Sequence, residues 1–408
     1  MNEKTYDIVI YGATSFVGQI ITHYMAEEYG FNDVRWAIAG RSMAKLVDLK
    51  QSLGRSAENL AVLTADANDL EALTALCQST QVILSTVGPY DLYGEPLVQA
   101  CCQTGTDYCD LTGEMHWIKR MQEKYSGAAL NSGARIVHAC GFDSIPSDCG
   151  VHFLQKHSAQ QHGKACFRVN MGVKRLSGGL SGGTIASMLN MTKQIIKDSS
   201  LRKELGNPYS CCPPDHCFTA RQANTSVTYD EHAKSWLAPF MMAAINTRIV
   251  HRSNALSGSA YGEQFYYQEA TLTGGGKAGE KRAKRMATGF KIFNLATVVS
   301  PIRWFLERFV LAKPGEGPSP EEQLNGEFDL RFHGQTKEGD SVKVKVTGDR
   351  DPGYGSTAKM ISQAAMCLAF DIEHKTPGGF WTPATLLGDN LIERLQAHAG
   401  LTFELLAD

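Results

Sequence analysis

Three segments hold the side chains best suited to moving protons beside a reducible group. "PYDLYGEP" (89–96) offers the phenols of Tyr90 and Tyr93, and a phenol can donate to a developing enolate or alkoxide. "DLTGE" (110–114) carries Asp110, Thr112 and Glu114, and "HACGFDSIPSD" (138–148) carries His138, Cys140, Asp143, Ser144 and Asp148. Each has a plainer reading. Ser147 or Asp148 caps the next helix, Asp110 and Glu114 pin loops by accepting from amides, and Tyr90 walls a pocket. Cys140 is a small buried hydrophobe. Tyr93, Asp143 and Ser144 stand first as groups facing a substrate.

Such groups need an electron source beside them, and the N-terminal residues point to one. "YGATSFVG" (11–18) follows the apolar run "YDIVI" and opens a helical pattern, the context of a dinucleotide pyrophosphate turn. Gly12 permits the tight turn and Gly18 lets the helix pack on the strand. The amides of Thr14, Ser15, Phe16 and Val17 then face an anion. Ser15 stands where a middle glycine would complete the motif. Its hydroxyl is read as capping the helix or donating to phosphate, the residue otherwise as a strained substitute, and the donor reading is preferred.

A second signal lies in "AGRSMAKL" (39–46), at the end of the next strand. A site for NAD places an acid there; Arg41, Ser42 and Lys45 suit the 2′-phosphate of NADP. Asp66, ending the third strand, either meets adenine or caps a helix. In "TVGPY" (86–90), Val87, Gly88, Pro89 and Tyr90 are expected to wall the nicotinamide ribose.

The elements that position these residues follow from hydrophobic patterning. Apolar runs at 6–11, 34–40, 60–65, 81–88, 106–111 and 134–140 alternate with helical patterns, as in a parallel sheet covered on both faces. The fold class is therefore α/β: a doubly wound Rossmann domain joined to a second, mixed α+β domain. Residues 1–156 form the first and 157–350 the second. Residues 351–408 are a helical segment returning to the first. In the second domain, strands are expected near 165–174, 260–273, 327–336 and 341–349, and helices near 183–205, 279–294 and 298–311. The stretch 206–235 reads as a long loop or lid, 313–323 as a linker, and "LSGGLSGGT" (176–184) as a hinge or a close approach to ligand.

Bulk properties narrow the class further. The chain has 408 residues, 43% of them hydrophobic, with a net charge of −2, so no overall charge argues for nucleic acid. Eleven cysteines without a secretory leader suggest reduced thiols and a cytoplasmic setting. "SCCPPDHC", with Cys211, Cys212, His216 and Cys217, lacks a second ligand pair and reads as a Pro-rich loop rather than a metal site. Residues 277–311, basic then apolar, suit either contact with a membrane surface or lipid-bearing partner, or two helices burying their apolar faces in the second domain or a dimer interface; burial is favoured.

With these segments in place, the chain resembles the saccharopine dehydrogenase-like oxidoreductases, in the branch of trans-acting enoyl reductases. The residues carrying the likeness are "GATSFVG", "AGRSMAKL", "VGPYDLYGEPLVQAC", "GTDYCDLTGE", "HACGFDSIPSDCG", "SGGTIASM" and "GGFWTPATLLGDNLIERL", in order along the chain. The family usually has glycine where Ser15 stands. The resemblance implies NADP(H) as cofactor, a likeness to lipid-synthesis reductases, and often a homodimer. The resulting expectation is an NADPH-dependent reductase of an apolar enoyl, imino or carbonyl substrate, lipid-like or carried on an acyl carrier. Two rivals remain: a saccharopine-type amino-acid dehydrogenase, with Arg168, Lys174 and Arg175 as its cations, and a non-catalytic NADP-binding sensor or scaffold.

Overall fold

The computed structural model describes residues 4–178, 189, 192–194, 196–222, 226–299, 317–373 and 375–407. In the first region β1 (Tyr6–Tyr11), β2 (Trp36–Gly40), β3 (Ala61–Thr64), β4 (Thr80–Ser85), β5 (Asp107–Asp110) and β6 (Arg135–Val137) are joined by helices. These are α1 (Phe16–Tyr29), α2 (Met43–Ser52), α3 (Leu70–Ser79), α4 (Tyr90–Tyr93), α5 (Glu95–Thr104) and α6 (Met115–Ser132), and α7 (Ile145–His162) follows. The second region supplies β7 (Arg168–Ser177), β8 (Thr228–Asp230), β9 (Ser235–Pro239), β10 (Tyr266–Leu272), β11 (Glu327–Gln335) and β12 (Ser341–Gly348), before β13 (Gly379–Trp381) and β14 (Leu401–Leu406).

Two seven-stranded sheets result. The first has the order β13-β6-β5-β4-β1-β2-β3 and every pairing in it is parallel. The order reverses at β1 and β4, so a crevice opens beyond the carboxyl ends of these two strands, where doubly wound sheets bind ligands. Strand β2 is buried along its whole length because helices cover both faces. The second sheet, β14-β12-β11-β7-β10-β9-β8, is mixed: β7 and β10 run parallel and its other neighbours antiparallel. α7 links the two by packing on the inner face of the second sheet. A Cβ at Gly150 would stand 2.9 Å from Phe332, and one at Gly334 would stand 2.6 Å from Leu154.

Some elements differ from the sequence expectation. The run 81–88 is strand only to Ser85, because Thr86 turns to hold the β1 turn. Within 206–235, Thr228–Asp230 pairs with β9, and within 313–323 the described residues start a short helix at Pro320, capped by Ser319. The C-terminal residues are not helical throughout: β13 extends the first sheet and β14 extends the second. Residues 179–188 and 300–316 lie outside the described residues, so most of the expected hinge and the helix at 298–311 do too.

The described part of 277–311 does not bury its apolar residues within the chain's own second domain. Helix Gly276–Val298 buries only Gly279, Ala283 and Thr297. Ile292 and Leu295 are 63% and 67% exposed. They lie at helical spacing from Lys281, Arg285 and Thr288, so one outward face changes from basic to apolar along the helix. Among the described residues, no helix is long and apolar enough to cross a membrane.

Candidate active site

The turn after β1 is built by mutual clamping. Gly12 has φ +87°, and a Cβ there would come within 2.7 Å of both Thr86 Oγ1 and Val87 Cγ2. A Cβ at Gly18 would come within 2.9 Å of Ala13 Cα, so α1 starts hard against the turn. Thr86 closes the arrangement: its amide donates to Tyr11 O at 2.9 Å and its hydroxyl to Gly12 O at 2.9 Å.

Ser15 has φ −68° and ψ 162°, an ordinary extended conformation without strain. Its Oγ accepts from the Gly18 amide at 3.0 Å and lies 3.0 Å from Thr86 Oγ1. Either hydroxyl can donate in that pair. The Ser15 amide donates to Gly12 O at 2.9 Å. Both polar groups of Ser15 are thus spent inside the protein, which argues against the phosphate-donor reading: Ser15 is the helix cap. The amides of Phe16 and Val17 lie in the uncapped first turn, and among the described residues neither has a hydrogen-bond acceptor. Two orphan amides at the start of a helix, held by a tightly packed glycine turn, form a fitting seat for the cofactor pyrophosphate.

At the end of β2, Arg41 and Lys45 are exposed, and Ser42 caps α2 by accepting from the Lys45 amide at 3.5 Å. Asp66 accepts from the Asn68 amide at 2.9 Å, while Asp69 caps α3. Asp66 therefore shapes the loop that borders the adenine side. Thr14 is half-buried at the turn, with its carbonyl accepting from Gln19 Nε2 at 3.2 Å.

Beyond β4, Val87 and Pro89 are half-buried, Gly88 is exposed and Tyr90 is buried. Tyr90 is a brace. Its hydroxyl donates to Ser85 O at 3.1 Å and accepts from the Leu111 amide at 3.2 Å, tying the ends of β4 and β5 together. Glu114 accepts from the amides of Tyr90 and Asp91 at 3.0 and 2.9 Å, so its carboxylate holds the start of α4. Asp110 works similarly, accepting from the amides of Thr112 and Ala139 at 3.1 Å each and meeting His138 Nδ1 at 2.7 Å. Ala139 has φ +60°, a conformation L-residues reach only at some cost, and the Asp110 contact secures it.

These braces deliver one carboxyl to the loop surface. Asp143 follows β6, is half-buried, and lies 3.8 Å from where a Gly113 Cβ would stand; Ile245 approaches the same point within 2.8 Å. Among the described residues the Asp143 carboxyl has no side-chain hydrogen-bond partner; the one hydrogen bond it accepts comes from its own residue's backbone. Burial first, and the charge of Asp110 second, push its pKa up to about 7. The neighbouring Phe142 is fixed by its amide bond to Thr357 Oγ1 (3.0 Å) and its ring contact with Phe328 (5.0 Å).

The other two leading candidates sit elsewhere. Ser144 is fully buried and donates to Asn246 Oδ1 at 3.1 Å. Asn246 in turn donates to Glu269 Oε2 at 2.9 Å, and Tyr267 donates to Glu269 Oε1 at 2.7 Å. Ser144 thus fixes α7 to the helix Ala243–Leu256 and to β10. Tyr93 is 41% exposed on α4, and among the described residues it makes no hydrogen bond to Asp143 or Ser144. Asp148 is also structural: it accepts from Ser253 Oγ at 2.5 Å and from the Ala384 amide at 2.9 Å, and burial pushes its pKa up to about 7. Thr86, Ile245, Asn246 and Thr357 escaped the sequence reading. Only Thr86 carried a usable signal, its place at a strand end facing Gly12.

Two of the three cations of the saccharopine-type alternative are engaged elsewhere, and Lys174 between them is exposed. Arg168 lies over the Tyr266 ring at 4.6 Å and Arg175 pairs with Glu327 at 2.8 Å. In the cysteine-rich loop, buried Cys211 meets the carbonyl of Met115 at 3.7 Å, and His216 packs on the rings of Tyr209 and Phe218. Among the described residues no group of three His, Cys, Asp or Glu side chains is placed to hold a metal ion.

A doubly wound sheet with a pyrophosphate turn, an arginine after the second strand and a mixed second sheet define a dinucleotide-dependent oxidoreductase of NADP type. Residues 8–137 match the family described as the saccharopine dehydrogenase NADP binding domain. A Mycobacterium ulcerans protein named trans-acting enoyl reductase is 34% identical, over 96% of each chain. The Mycobacterium bovis protein of the same name is also 34% identical over 96% of each. A Mycobacterium tuberculosis relative, carrying that name provisionally, is 38% identical over 98% of this chain and 97% of its own. The fold matches apo saccharopine dehydrogenase (L-Glu forming) from Saccharomyces cerevisiae with TM-score 0.55 and 12% identity, over 98% of this chain and 100% of that one. The chain belongs to the saccharopine dehydrogenase-like oxidoreductases, in the trans-acting enoyl reductase branch, and is an NADP-dependent oxidoreductase.

Proposed function

We propose that the chain reduces the carbon–carbon double bond of an apolar enoyl substrate with NADPH, and that Asp143 is the proton donor. The observation that carries this reading is the Asp143 carboxyl: without a side-chain hydrogen-bond partner among the described residues, raised to about 7, and beside Gly113 in the loops that follow β5 and β6. A carboxyl of that pKa is substantially protonated near neutrality and can give up its proton readily.

The amides of Phe16 and Val17 would hold the pyrophosphate, Arg41 and Lys45 the 2′-phosphate, and the Val87–Pro89 stretch the nicotinamide side. When bound, NADPH supplies the hydride that reduction requires. The chain's own residues do the rest. Gly12, clamped by Thr86, leaves room for close approach at the turn, while Tyr90 and Glu114 fix the loop beside it. Asp143 holds the proton destined for the carbon next to the activating carbonyl. Ile245 supplies an apolar wall, which keeps the carboxyl protonated and favours an acyl-type substrate.

The substrate is best read as a lipid-like acyl group, free or carried on an acyl carrier, in the cytoplasm. The exposed stretch from Ile292 to Val299 supports a homodimer, which sedimentation would test. For activity, the test is NADPH oxidation across apolar enoyl thioesters, ketones and imines. Turnover on the enoyl thioesters supports the reading. Turnover on imines alone would shift it to an amino-acid type reaction.

A further inference from the structure

The second sheet has an outer face, turned away from α7, and the structure places a separate cavity there. Side chains alternate along β11, so Phe332 and Gly334 meet α7 while Arg331 and His333 point the other way. On this outer face lies a cavity of about 590 Å³ between β7, β10, β11, the β8–β9 hairpin and the start of helix Gly276–Val298. That size falls in the small-ligand range. The sheet separates it from the crevice with the NADP turn, so it is a second site.

Its lining has two parts. The floor is aliphatic, formed by Leu237, Ala270, Leu272 and Leu406. The rim is cationic, with Lys174, Arg282, Arg331 and Lys343. Arg331 is shared with Asp329, at 2.7 Å between Nη2 and Oδ2. The one acid in the lining, Asp230, is already taken, since its Oδ1 accepts from the amides of His232 and Ala233 at 2.9 Å each. Asn170, also in the lining, has a buried Oδ1 without a hydrogen-bond partner among the described residues. Burying that acceptor costs free energy until a ligand or water satisfies it.

We infer that this cavity binds an acyl-chain anion, a linear aliphatic chain ending in a carboxylate or a phosphate. The two rings on the rim, His232 and His333, stack on each other at 4.3 Å, the aliphatic floor suits an alkyl chain, and the four cations of the rim select an anionic head over a neutral one. The chain lies along Ala270 and Leu272 while the head meets Lys174 and Lys343. This inference does not depend on the proposed enoyl reduction, because binding is read without turnover.

The test is calorimetric titration of the full chain with dodecanoate, dodecyl phosphate and dodecanol, each below its micelle threshold, with NADPH affinity measured in parallel. The expected result is saturable binding of at least one anion roughly tenfold or more tighter than dodecanol. Tighter dodecanoate identifies a free fatty acid as the natural ligand class, and tighter dodecyl phosphate a phosphate ester. Lys174→Glu and Lys343→Glu should each weaken the anion roughly tenfold, and Ala270→Trp should abolish its binding, with NADPH affinity retained in all three. Should Ala270→Trp fail to fold, the two lysine variants decide. Equal binding of dodecanol, or no effect of either lysine change, overturns the inference. So does sedimentation showing that Lys174→Glu dissociates a dimer of a chain that binds none of the probes, which would make this face an interface between copies.

Discussion

Ser15 and Thr86 meet hydroxyl to hydroxyl at 3.0 Å, joining the start of α1 to the residue that follows β4. Through this contact and the Thr86 bond to Gly12 O, the two strands flanking the crevice share one small polar knot. The knot positions the first turn of α1, where the unsatisfied amides lie.

Ser15 is therefore predicted to act on stability more than on affinity. Ser15→Ala removes a helix cap and should cost about 1 kcal/mol, while Ser15→Gly should cost only a few tenths. Ser15→Gly should bind NADPH within about twofold of the wild type, since RT ln 2 is only about 0.4 kcal/mol. Denaturant melts and NADPH titrations check both; a large loss of NADPH affinity in Ser15→Gly would restore a direct phosphate contact.

Arg41 should determine the choice of cofactor. Arg41→Asp removes a charge-assisted contact and places an acid near the 2′-position, so NADPH should weaken by about tenfold to a hundredfold. NADH binding should hold or improve. Parallel titrations with the two nucleotides read the difference directly.

Stability should depend on pH through Asp148. Burial raises its carboxyl from the ordinary 3.8 to about 7 in the folded chain. Between those values the folded state binds more protons than the unfolded one, so this contribution is complete below the ordinary value and is lost as pH rises toward 7. One such group accounts for at most about 1.4 kcal/mol per pH unit. Asp148→Asn should flatten the slope in urea melts taken across that window. An unchanged slope would show that Asp148 titrates normally.

Much of this arrangement was legible in the chain. The first sheet announced itself because strands buried on both faces are apolar throughout, and the glycine spacing of 11–18 marked the turn. Helix Ala243–Leu256 was not legible. It buries Asn246, Arg248, His251 and Arg252, so its inner faces carry no apolar stripe. Asn246, Arg248 and Arg252 pair with distant partners, Arg252 for example donating to Phe380 O at 2.6 Å, while His251 packs against the rings of Tyr209 and Phe265. No periodicity rule anticipates such pairing. Strand β13 was missed because three residues show no alternation. The Ser15 hydroxyl could be read as a cap or as a phosphate donor, but its contact with Thr86 could not, because that partner lies 71 residues away in sequence. Asp143 and Ser144 are adjacent in the chain yet diverge in fate, one at the loop surface and one inside a buried network. Only packing separates them.

The central claim is enoyl reduction by NADPH with Asp143 as acid. The most direct measurement is the pH profile of NADPH oxidation on an enoyl thioester, for the wild type and Asp143→Asn. The wild-type rate should fall as pH rises through about 7, because the protonated carboxyl is the donor. Asp143→Asn should bind NADPH normally, lose kcat by roughly a hundredfold to ten-thousandfold and lose that limb. A variant that keeps both rate and pH profile would contradict the account.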